Sequence, residues 1–363
     1  MEWGRTMKEL YKYLNIMKLK PDQSFALATV IQVKGSAYRH EGAKMLFSEN
    51  GEQYGMISGG CLEEDLFSYA QEAMTLQKHQ TVTYDLRTED DLGWGKGAGC
   101  NGEITVLLEP IKWNDTDHFL SQVLERLERG ERLVSISDLS RQKDGVRLFI
   151  AEDGEVIGTW LPYLKKVVMP TVNQMFKTER TFEYHHFIEL NTTFMFELHE
   201  PQDTLYIFGA GTDAEPIVKR AAEFDFLPVV IDPRESRCQR AYFPSASSFI
   251  IEHPEKFLAK NCLKKNSYVL IMTHQFQQDQ QILTYFLEQE NRPKYVGILG
   301  PKKRTEKLVA PLPLPEWVHS PVGISIHAEG AEEISISILA ELIQVRNEKR
   351  MLMRKKKKRE TVM

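Results

Sequence analysis

Two of the four cysteines of the chain lie beside runs of glycine. Cys61 directly follows Gly59 and Gly60 and begins a predicted helix, where the backbone can approach a ligand closely. A helix N-terminus lowers the pKa of a thiol, and the thiolate binds soft metal centres and attacks carbonyls or persulfides. Cys100 lies in the segment 93–102, which holds five glycines in ten residues. A single free cysteine is usually a small buried hydrophobic residue, but two in such surroundings favour a catalytic role for Cys61 and Cys100.

A second motif, G-x-G-x-x-A, begins at Gly209 and follows the apolar run 205–208. The first glycine permits a sharp turn, and the second, Gly211, lets the backbone approach a pyrophosphate. Asp232 ends the next apolar run, where an acid can accept hydrogen bonds from the ribose hydroxyls of NAD. The pattern predicts a phosphate-bearing ligand bound by Gly209, Gly211 and Asp232, with NAD(P) as one candidate cofactor. The alternative, a domain that keeps this fold without binding a dinucleotide, stays open.

Several other charged or polar residues are candidates for ligand contact. Arg39 lies in a polar turn and could bind phosphate or be solvated. His274 ends an apolar run at the carboxyl edge of the predicted sheet, where ligands of open α/β folds bind, and Asp279 follows it. Asp213 would repel a phosphate at the glycine turn, or cap the helix there. Residues 63–65 are all acidic and open the helix after Cys61, which the helix dipole alone explains.

The composition excludes several classes of protein. Hydrophobic residues make up 42% and charged residues 27%, and the net charge is −5, which gives no electrostatic reason for a nucleic-acid partner. No apolar run reaches the roughly 18 residues of a transmembrane helix, and the N-terminus lacks the apolar region of a secretory signal. We therefore expect a cytoplasmic protein with no membrane partner. The cysteines form no C-x-x-C pair, and His185 and His186 lack a third ligand nearby, so no metal site is expected.

The elements that must position these residues follow two patterns. In the first half, strand-like runs surround a helical segment at residues 62–76, which is typical of an α+β domain. After Pro201, short apolar runs alternate with helical segments, which is typical of a parallel sheet covered on both faces. We predict an α/β chain with an N-terminal α+β domain over residues 1–200 and a Rossmann-like, doubly wound parallel sheet domain over residues 201–345.

Two segments do not fit this pattern. Residues 160–200 give no clear element except a strand pair within residues 181–198. The tail, residues 346–363, contains Lys355-Lys356-Lys357-Lys358. Such a run can contact nucleic acid or acidic lipid, but nothing else in the chain is basic, so we predict a disordered and solvated terminus.

The order of motifs along the chain resembles the XdhC/CoxI family, the accessory factors of xanthine and carbon monoxide dehydrogenases. The motifs cover most of the chain apart from the middle segment and the basic tail. They are Gly59-Gly60-Cys61-Leu62-Glu63, Gly99-Cys100-Asn101-Gly102-Glu103, Tyr206-Ile207-Phe208-Gly209-Ala210-Gly211, Ile231-Asp232-Pro233-Arg234, Met272-Thr273-His274 with Asp279, Tyr295-Val296-Gly297-Ile298-Leu299-Gly300, Pro321-Val322-Gly323-Ile324 and the helical segment 332–343.

The resemblance implies a maturation factor rather than an enzyme that turns over a metabolite. Proteins of this family bind molybdenum cofactor, protect it and deliver it to a xanthine dehydrogenase-type apoenzyme of purine catabolism. A cysteine desulfurase supplies the sulfur for sulfuration of the cofactor, and the family is usually dimeric, so a homodimer is expected. Applied to this chain, the resemblance places Cys61 and Cys100 near the molybdenum end of the cofactor. It assigns the cofactor's phosphate to backbone amides of one of the two glycine turns.

Three residues depart from the family pattern. Thr212 stands where a histidine is common, Asn101 where a glycine is common and Pro301 where a serine is common, and the first of these argues against a histidine-dependent step at the Rossmann turn. Two other functions stay open. One is an NAD(P)-dependent oxidoreductase, or a redox subunit of a xanthine dehydrogenase complex, which Asp232 supports. The other is a structural dimer scaffold in which the cysteines are freely exchangeable.

Overall fold

The computed structural model describes residues 9–60, 62–86, 102–114, 119–139, 147–158, 164–178, 180–261, 263, 266–290 and 292–360, without the side chains of Arg147 and of residues 349–360. Cys61 and Cys100 lie outside the described residues. The chain divides into two compact units, Met1–Pro201 and Gln202–Met363.

The first unit begins with a five-stranded antiparallel sheet in the order β3-β2-β1-β5-β4. Successive side chains of a strand point to opposite faces of the sheet. In the central strand, Ala26 and Ala28 therefore pack in one core with residues of α2, whereas Phe25 and Leu27 pack in another with residues of α1. Burial on both faces explains why the start of this strand is continuously apolar. The elements are α1 (Glu9–Leu19), β1 (Ser24–Gly35), β2 (Lys44–Ser48), β3 (Gln53–Gly55), α2 (Glu63–Leu76), β4 (Gln80–Asp85) and β5 (Gly102–Lys112).

A second antiparallel sheet completes this unit, in the order β8-β7-β6-β10-β9. The strand pair predicted within residues 181–198 is present as β9 and β10. Helix α4, at Leu164–Thr178, was not predicted from the sequence, although Val168 and Val172 lie on its buried face at helical spacing. Pro170 inside the helix hides it, because proline normally marks a helix end. The elements are α3 (Phe119–Glu128), β6 (Leu133–Asp138), β7 (Arg147–Ala151), β8 (Val156–Gly158), α4 (Leu164–Thr178), β9 (Phe182–Phe187) and β10 (Thr192–His199).

The second unit contains a six-stranded parallel sheet in the order β13-β12-β11-β14-β15-β16. The order reverses between β11 and β14, which is the topological switch of a Rossmann fold and the usual place for a ligand. The predicted fold class is therefore confirmed. The elements are β11 (Asp203–Phe208), α5 (Ala214–Glu223), β12 (Phe226–Ile231), β13 (Ser248–Ile250), α6 (Pro254–Lys260), β14 (Ser267–Ile271), α7 (Phe276–Glu288), β15 (Tyr295–Ile298), α8 (Lys302–Val309), β16 (Val318–His319) and α9 (Gly330–Glu360).

The last helix, α9, is anchored to this sheet by Glu341. Its carboxylate accepts hydrogen bonds from the Tyr295 hydroxyl at 2.5 Å and the Gly323 amide at 2.7 Å, and it pairs with His319 at 2.9 Å. The helix continues to Glu360, whereas a disordered tail was predicted from residue 346 onwards. Lysine, arginine and methionine are good helix formers, so the basic segment can extend a helix that packing has already begun. No helix in the described ranges, α9 included, is long and apolar enough to cross a membrane.

Candidate functional site

The turn that precedes Cys61 is held by the carboxylate of Glu63. Gly59 and Gly60 both have positive φ, +85° and +109°, a region that favours glycine. The amide of Gly60 donates to Glu63 at 3.0 Å, and the amide of Leu62 donates at 3.1 Å. The residues on both sides of Cys61 are thus tied to one carboxylate.

The environment of Glu63 keeps it ionised. Its side chain is buried, and burial alone would raise its pKa. Hydrogen bonds from the Ser58 hydroxyl and from the Ser58 and Ile57 amides outweigh burial, so the pKa of Glu63 lies below its ordinary value. Stabilisation by this carboxylate is present above the pKa of an unfolded glutamate and is lost as the pH falls through the lower folded value. Glu63, which the helix dipole alone was expected to explain, therefore has a specific structural role.

Described residues that flank the two cysteines lie against the same stretch of chain. The Tyr38 ring lies 3.7 Å from where a Cβ on Gly59 would be, and a Cβ on Gly102 would lie 2.6 Å from the carbonyl oxygens of Lys34 and Ser36. Gly59 is two residues before Cys61, and Gly102 is two residues after Cys100. The described flanks of both cysteines thus converge on residues 34–38, which the sequence analysis did not single out apart from the neighbouring Arg39.

Arg39 is engaged inside the first unit. Its guanidinium donates to the carboxylate of Glu9 at 2.8 Å and to the carbonyl oxygen of Met56 at 2.9 Å. The other carboxylate oxygen of Glu9 accepts the amide of Lys44 at 2.9 Å. Arg39 therefore links α1 to the chain that leads into the Gly59 turn, and these bonds compete with the phosphate contact that the sequence analysis suggests.

In the second unit, the Gly209 turn has the shape that its motif predicts. Gly209 has a φ of +119°, and a Cβ there would overlap the carbonyl of Met272 at the end of β14. The next amide, that of Ala210, donates to Asp232 at 2.8 Å, and the Ala210 carbonyl accepts from the Arg237 guanidinium at 3.0 Å. Both backbone polar groups of the residue between the two glycines are therefore bound within the protein.

Asp232 is buried and paired rather than open to a ribose. Its carboxylate receives the Arg234 guanidinium at 2.7 and 2.8 Å in addition to the Ala210 amide. Burial would raise the pKa of Asp232, but the hydrogen bonds from Arg234 and Ala210 outweigh it and lower that pKa. The arrangement gives this acid the role of fixing the turn, and a ribose would have to compete with Arg234 for it.

A second carboxylate covers the glycine turn from outside. Asp213 lies so close to Gly211 that a Cβ on that glycine would overlap the carboxylate. The other oxygen of Asp213 pairs with Nε2 of His274 at 2.7 Å, and His274 has a positive φ of +61°. The negative charge therefore stands where a dinucleotide's pyrophosphate would approach.

We expect Asp213→Ala to strengthen the binding of NAD(H) or inorganic pyrophosphate by about tenfold, because a negative charge at contact distance opposes a phosphate by about 1 kcal/mol or more. Calorimetric titration of the wild type and the variant measures this. Glu223→Ala, which removes a charge from the other end of α5, should leave binding unchanged. Tight NAD(H) binding by the wild type would instead favour the dehydrogenase alternative.

The remaining candidates are bound internally as well. Asp279 is almost fully buried and accepts the Thr273 hydroxyl at 2.6 Å and the Arg304 guanidinium at 2.6 Å. These hydrogen bonds fix Thr273, the residue that precedes His274. His185 pairs with Glu183 at 3.0 Å. Among the described residues, no three histidine, cysteine or acidic side chains are grouped to hold a metal ion.

Comparison with known proteins covers both units. Residues 19–85 match the model of the XdhC and CoxI family, and residues 205–342 match that of the XdhC Rossmann domain. A probable xanthine dehydrogenase subunit of Bacillus subtilis (strain 168) is 36% identical over 328 residues, 90% of this chain and 95% of that protein. The molybdenum cofactor insertion chaperone PaoD of Escherichia coli (strain K12) is 23% identical, over 88% of this chain and 83% of its own length. A crystal structure of a xanthine dehydrogenase from Bacillus halodurans is 40% identical with a TM-score of 0.78, over 93% of this chain and 96% of that one.

Proposed function

The chain belongs to the XdhC and CoxI family, and from that premise we propose that it binds molybdenum cofactor as cargo and delivers it to a xanthine dehydrogenase-type apoenzyme. One relative of similar length is named as an insertion chaperone for this cofactor and another as a xanthine dehydrogenase subunit. These names support an accessory role connected with a molybdenum enzyme.

The observation that carries the proposal is the approach of the described flanks of both cysteines, Gly59 and Gly102, to residues 34–38. Thiols carried two residues away from these flanks suit a cargo whose reactive end is molybdenum with sulfur ligands, because thiolates bind soft centres. The described surroundings fit such a cargo. Among the described residues, nothing lies within 4 Å of a Cβ placed on Gly60, so they leave this side of the turn uncovered. The Tyr38 ring is 38% exposed beside it and offers a flat face to a conjugated pterin.

Neither glycine turn favours the phosphate of the cargo. The Gly60 amide has Glu63 as its acceptor, and the Ala210 amide has Asp232. A phosphate at either turn would have to displace a buried carboxylate. The proposal therefore rests on the thiols Cys61 and Cys100 rather than on Gly59, Gly209 or Gly211.

In the proposed sequence of events, a cysteine desulfurase supplies sulfur to the cofactor while this protein, as a cytoplasmic homodimer, shields it from water and oxidants. The apoenzyme then receives the sulfurated cofactor. The protein's own contribution is to bind, orient and release the cargo.

Replacement of Cys61 by alanine tests the proposal. We expect protein purified from molybdenum-replete cells to carry molybdopterin, measured as its fluorescent oxidation product per chain. Cys61→Ala should carry about tenfold less molybdopterin per chain, because it removes one bond worth roughly 1.4 kcal/mol or more. Cys100→Ala should show a similar decrease.

Cys238→Ala is the matched control. Its thiol is buried in the second unit, 3.5 Å from the carbonyl oxygen of Val230, so it removes a sulfur without touching the converging segments. Equal retention by the Cys61, Cys100 and Cys238 variants would rule out the cysteine role, whereas absence of molybdopterin from the wild type and every variant would favour the scaffold alternative. Recovery of a dehydrogenase with the wild type, and its absence with cargo-free variants, would add support for delivery.

A further inference from the structure

We propose that Glu63 is the positioning residue of the Cys61 turn, and that its carboxylate is the anion that this turn is built to bind. The inference rests on the proposed function, in which Cys61 contacts the cargo. It adds a residue that touches neither cargo nor partner and acts through the backbone that carries the thiol.

The geometry is that of a carboxylate inside a nest of amides. Oε1 accepts the amides of Ile57 and Ser58 at 3.0 and 2.8 Å, and Oε2 accepts those of Gly60 and Leu62 at 3.0 and 3.1 Å. The Ser58 hydroxyl donates to Oε2 as well, and it accepts the Leu62 amide at 2.9 Å. Backbone amides that converge ahead of a helix form an anion site, and here the side chain of the first residue of the helix fills it.

Only a carboxylate fits this position. It has four lone-pair sites and no donor, whereas a glutamine has one acceptor oxygen and an NH₂ group that would face amide donors. Gly59 and Gly60 have no side chains to hold their left-handed conformation. The bonds to Glu63 therefore supply the restraint that the glycines lack, on both sides of Cys61.

Loss of the carboxylate has two effects on the thiol, and both act in the same direction. A turn released from Glu63 samples more conformations and gives a reagent better access to Cys61. Removal of a nearby negative charge also favours the thiolate over the thiol. We therefore expect faster alkylation of Cys61 together with weaker retention of the cargo, because a mobile thiol is no longer held in its binding geometry.

The test compares Glu63→Gln with Asp65→Asn in the full chain. Both variants remove one negative charge from the first turn of α2, but Asp65 accepts the Tyr84 hydroxyl at 2.8 Å, whereas Glu63 accepts the four turn amides. Iodoacetamide labelling of Cys61 and hydrogen exchange of residues 57–62 are followed by mass spectrometry. Glu63→Gln should raise the labelling rate at least about threefold and the exchange rates about tenfold, whereas Asp65→Asn should change both by less than about twofold.

The cargo is measured in the same preparations as molybdopterin per chain. Glu63→Gln should retain about fivefold less, at temperatures well below its unfolding midpoint. If labelling and exchange in Glu63→Gln match Asp65→Asn, the positioning role is overturned. If they change while the cargo does not, Glu63 still positions the turn and the proposed role of Cys61 fails.

Ser58→Ala is the second variant, for the case in which Glu63→Gln does not fold. It removes one donor to Glu63 and one acceptor for the Leu62 amide but keeps the carboxylate and its charge. Labelling and exchange should shift in the same direction by a smaller factor. Wild-type rates in Ser58→Ala would overturn the inference.

Discussion

Replacing Gly102 with alanine is expected to destabilise the first unit by roughly 3 kcal/mol and to lower its unfolding temperature by about 6–12 °C. Gly102 begins β5 and pairs with Gly35 of β1. A Cβ there would lie 2.6 Å from the carbonyl oxygens of Lys34 and Ser36 and 2.9 Å from the Ser36 amide nitrogen. These are backbone atoms on either side of Gly35, so no side chain can rotate away to make room.

The functional consequence should follow from the same displacement. The start of β5 must move away from the end of β1, and Gly102, two residues after Cys100, then no longer contacts the stretch beside the Gly59 turn. We expect cargo retention to fall in Gly102→Ala even at temperatures where the first unit stays folded. Calorimetry gives the unfolding temperature, and molybdopterin per chain gives the retention.

Glu103→Ala is the control for this prediction. Glu103 pairs with Lys34 at 2.7 Å across the same two strands, but the lysine side chain is 57% exposed. Exposed ion pairs contribute less than about 1 kcal/mol, so this variant should unfold close to the wild type. A Gly102→Ala protein as stable as Glu103→Ala would mean that the strand ends tolerate separation and that the close contact is not required.

Most of the fold could be predicted from the sequence because hydrophobic periodicity determines it. The alternation of apolar runs with helices, together with the turn at Gly209, predicts the parallel sheet of the second unit. Prediction fails where one residue contradicts the local pattern, as Pro170 does in α4. It also fails for strands as short as β16, which has two residues, because two residues are too few to show an alternation of apolar and polar side chains.

Only some features of the candidate site could likewise be predicted from the sequence. The glycines and thiols are visible in the sequence because the residue type alone marks them as candidates. The partners of the turn amides are not visible, because which carboxylate accepts which amide depends on how each turn closes. Glu63 follows Gly60 by three residues and could have been found as a capping-type contact. Asp232 reaches Ala210 across 22 positions of the chain, and only the folded sheet brings them together.

Replacement of Lys44 by methionine is expected to destabilise the first unit by about 3–5 kcal/mol, and its ion pair is another contact between distant segments. Lys44 begins β2 in one sheet, and its Nζ pairs with Glu197 of β10 in the other sheet at 2.5 Å. The two side chains are only 2% and 12% exposed. Burial of two charges is costly and is offset by their close approach, so loss of the cation removes a closely paired charge that offsets the desolvation of Glu197. His199 lies 3.8 Å from the same carboxylate and bonds to Ser135 at 2.8 Å, so it is a poor replacement.

A double-mutant cycle separates the ion pair from simple loss of packing. Lys44→Met combined with Glu197→Gln should lose less stability than the two single variants added together, with a coupling of roughly 2 kcal/mol or more. Lys18→Met, which removes a lysine 3.9 Å from Glu128 with both side chains well exposed, should cost less than about 1 kcal/mol. Additive losses in the cycle would show that Lys44 acts through its buried methylene chain. A strong coupling would mean that one buried ion pair holds the sheet of the cysteine-bearing segments against its neighbour, and cargo retention should then fall in Lys44→Met and recover in part in the double variant.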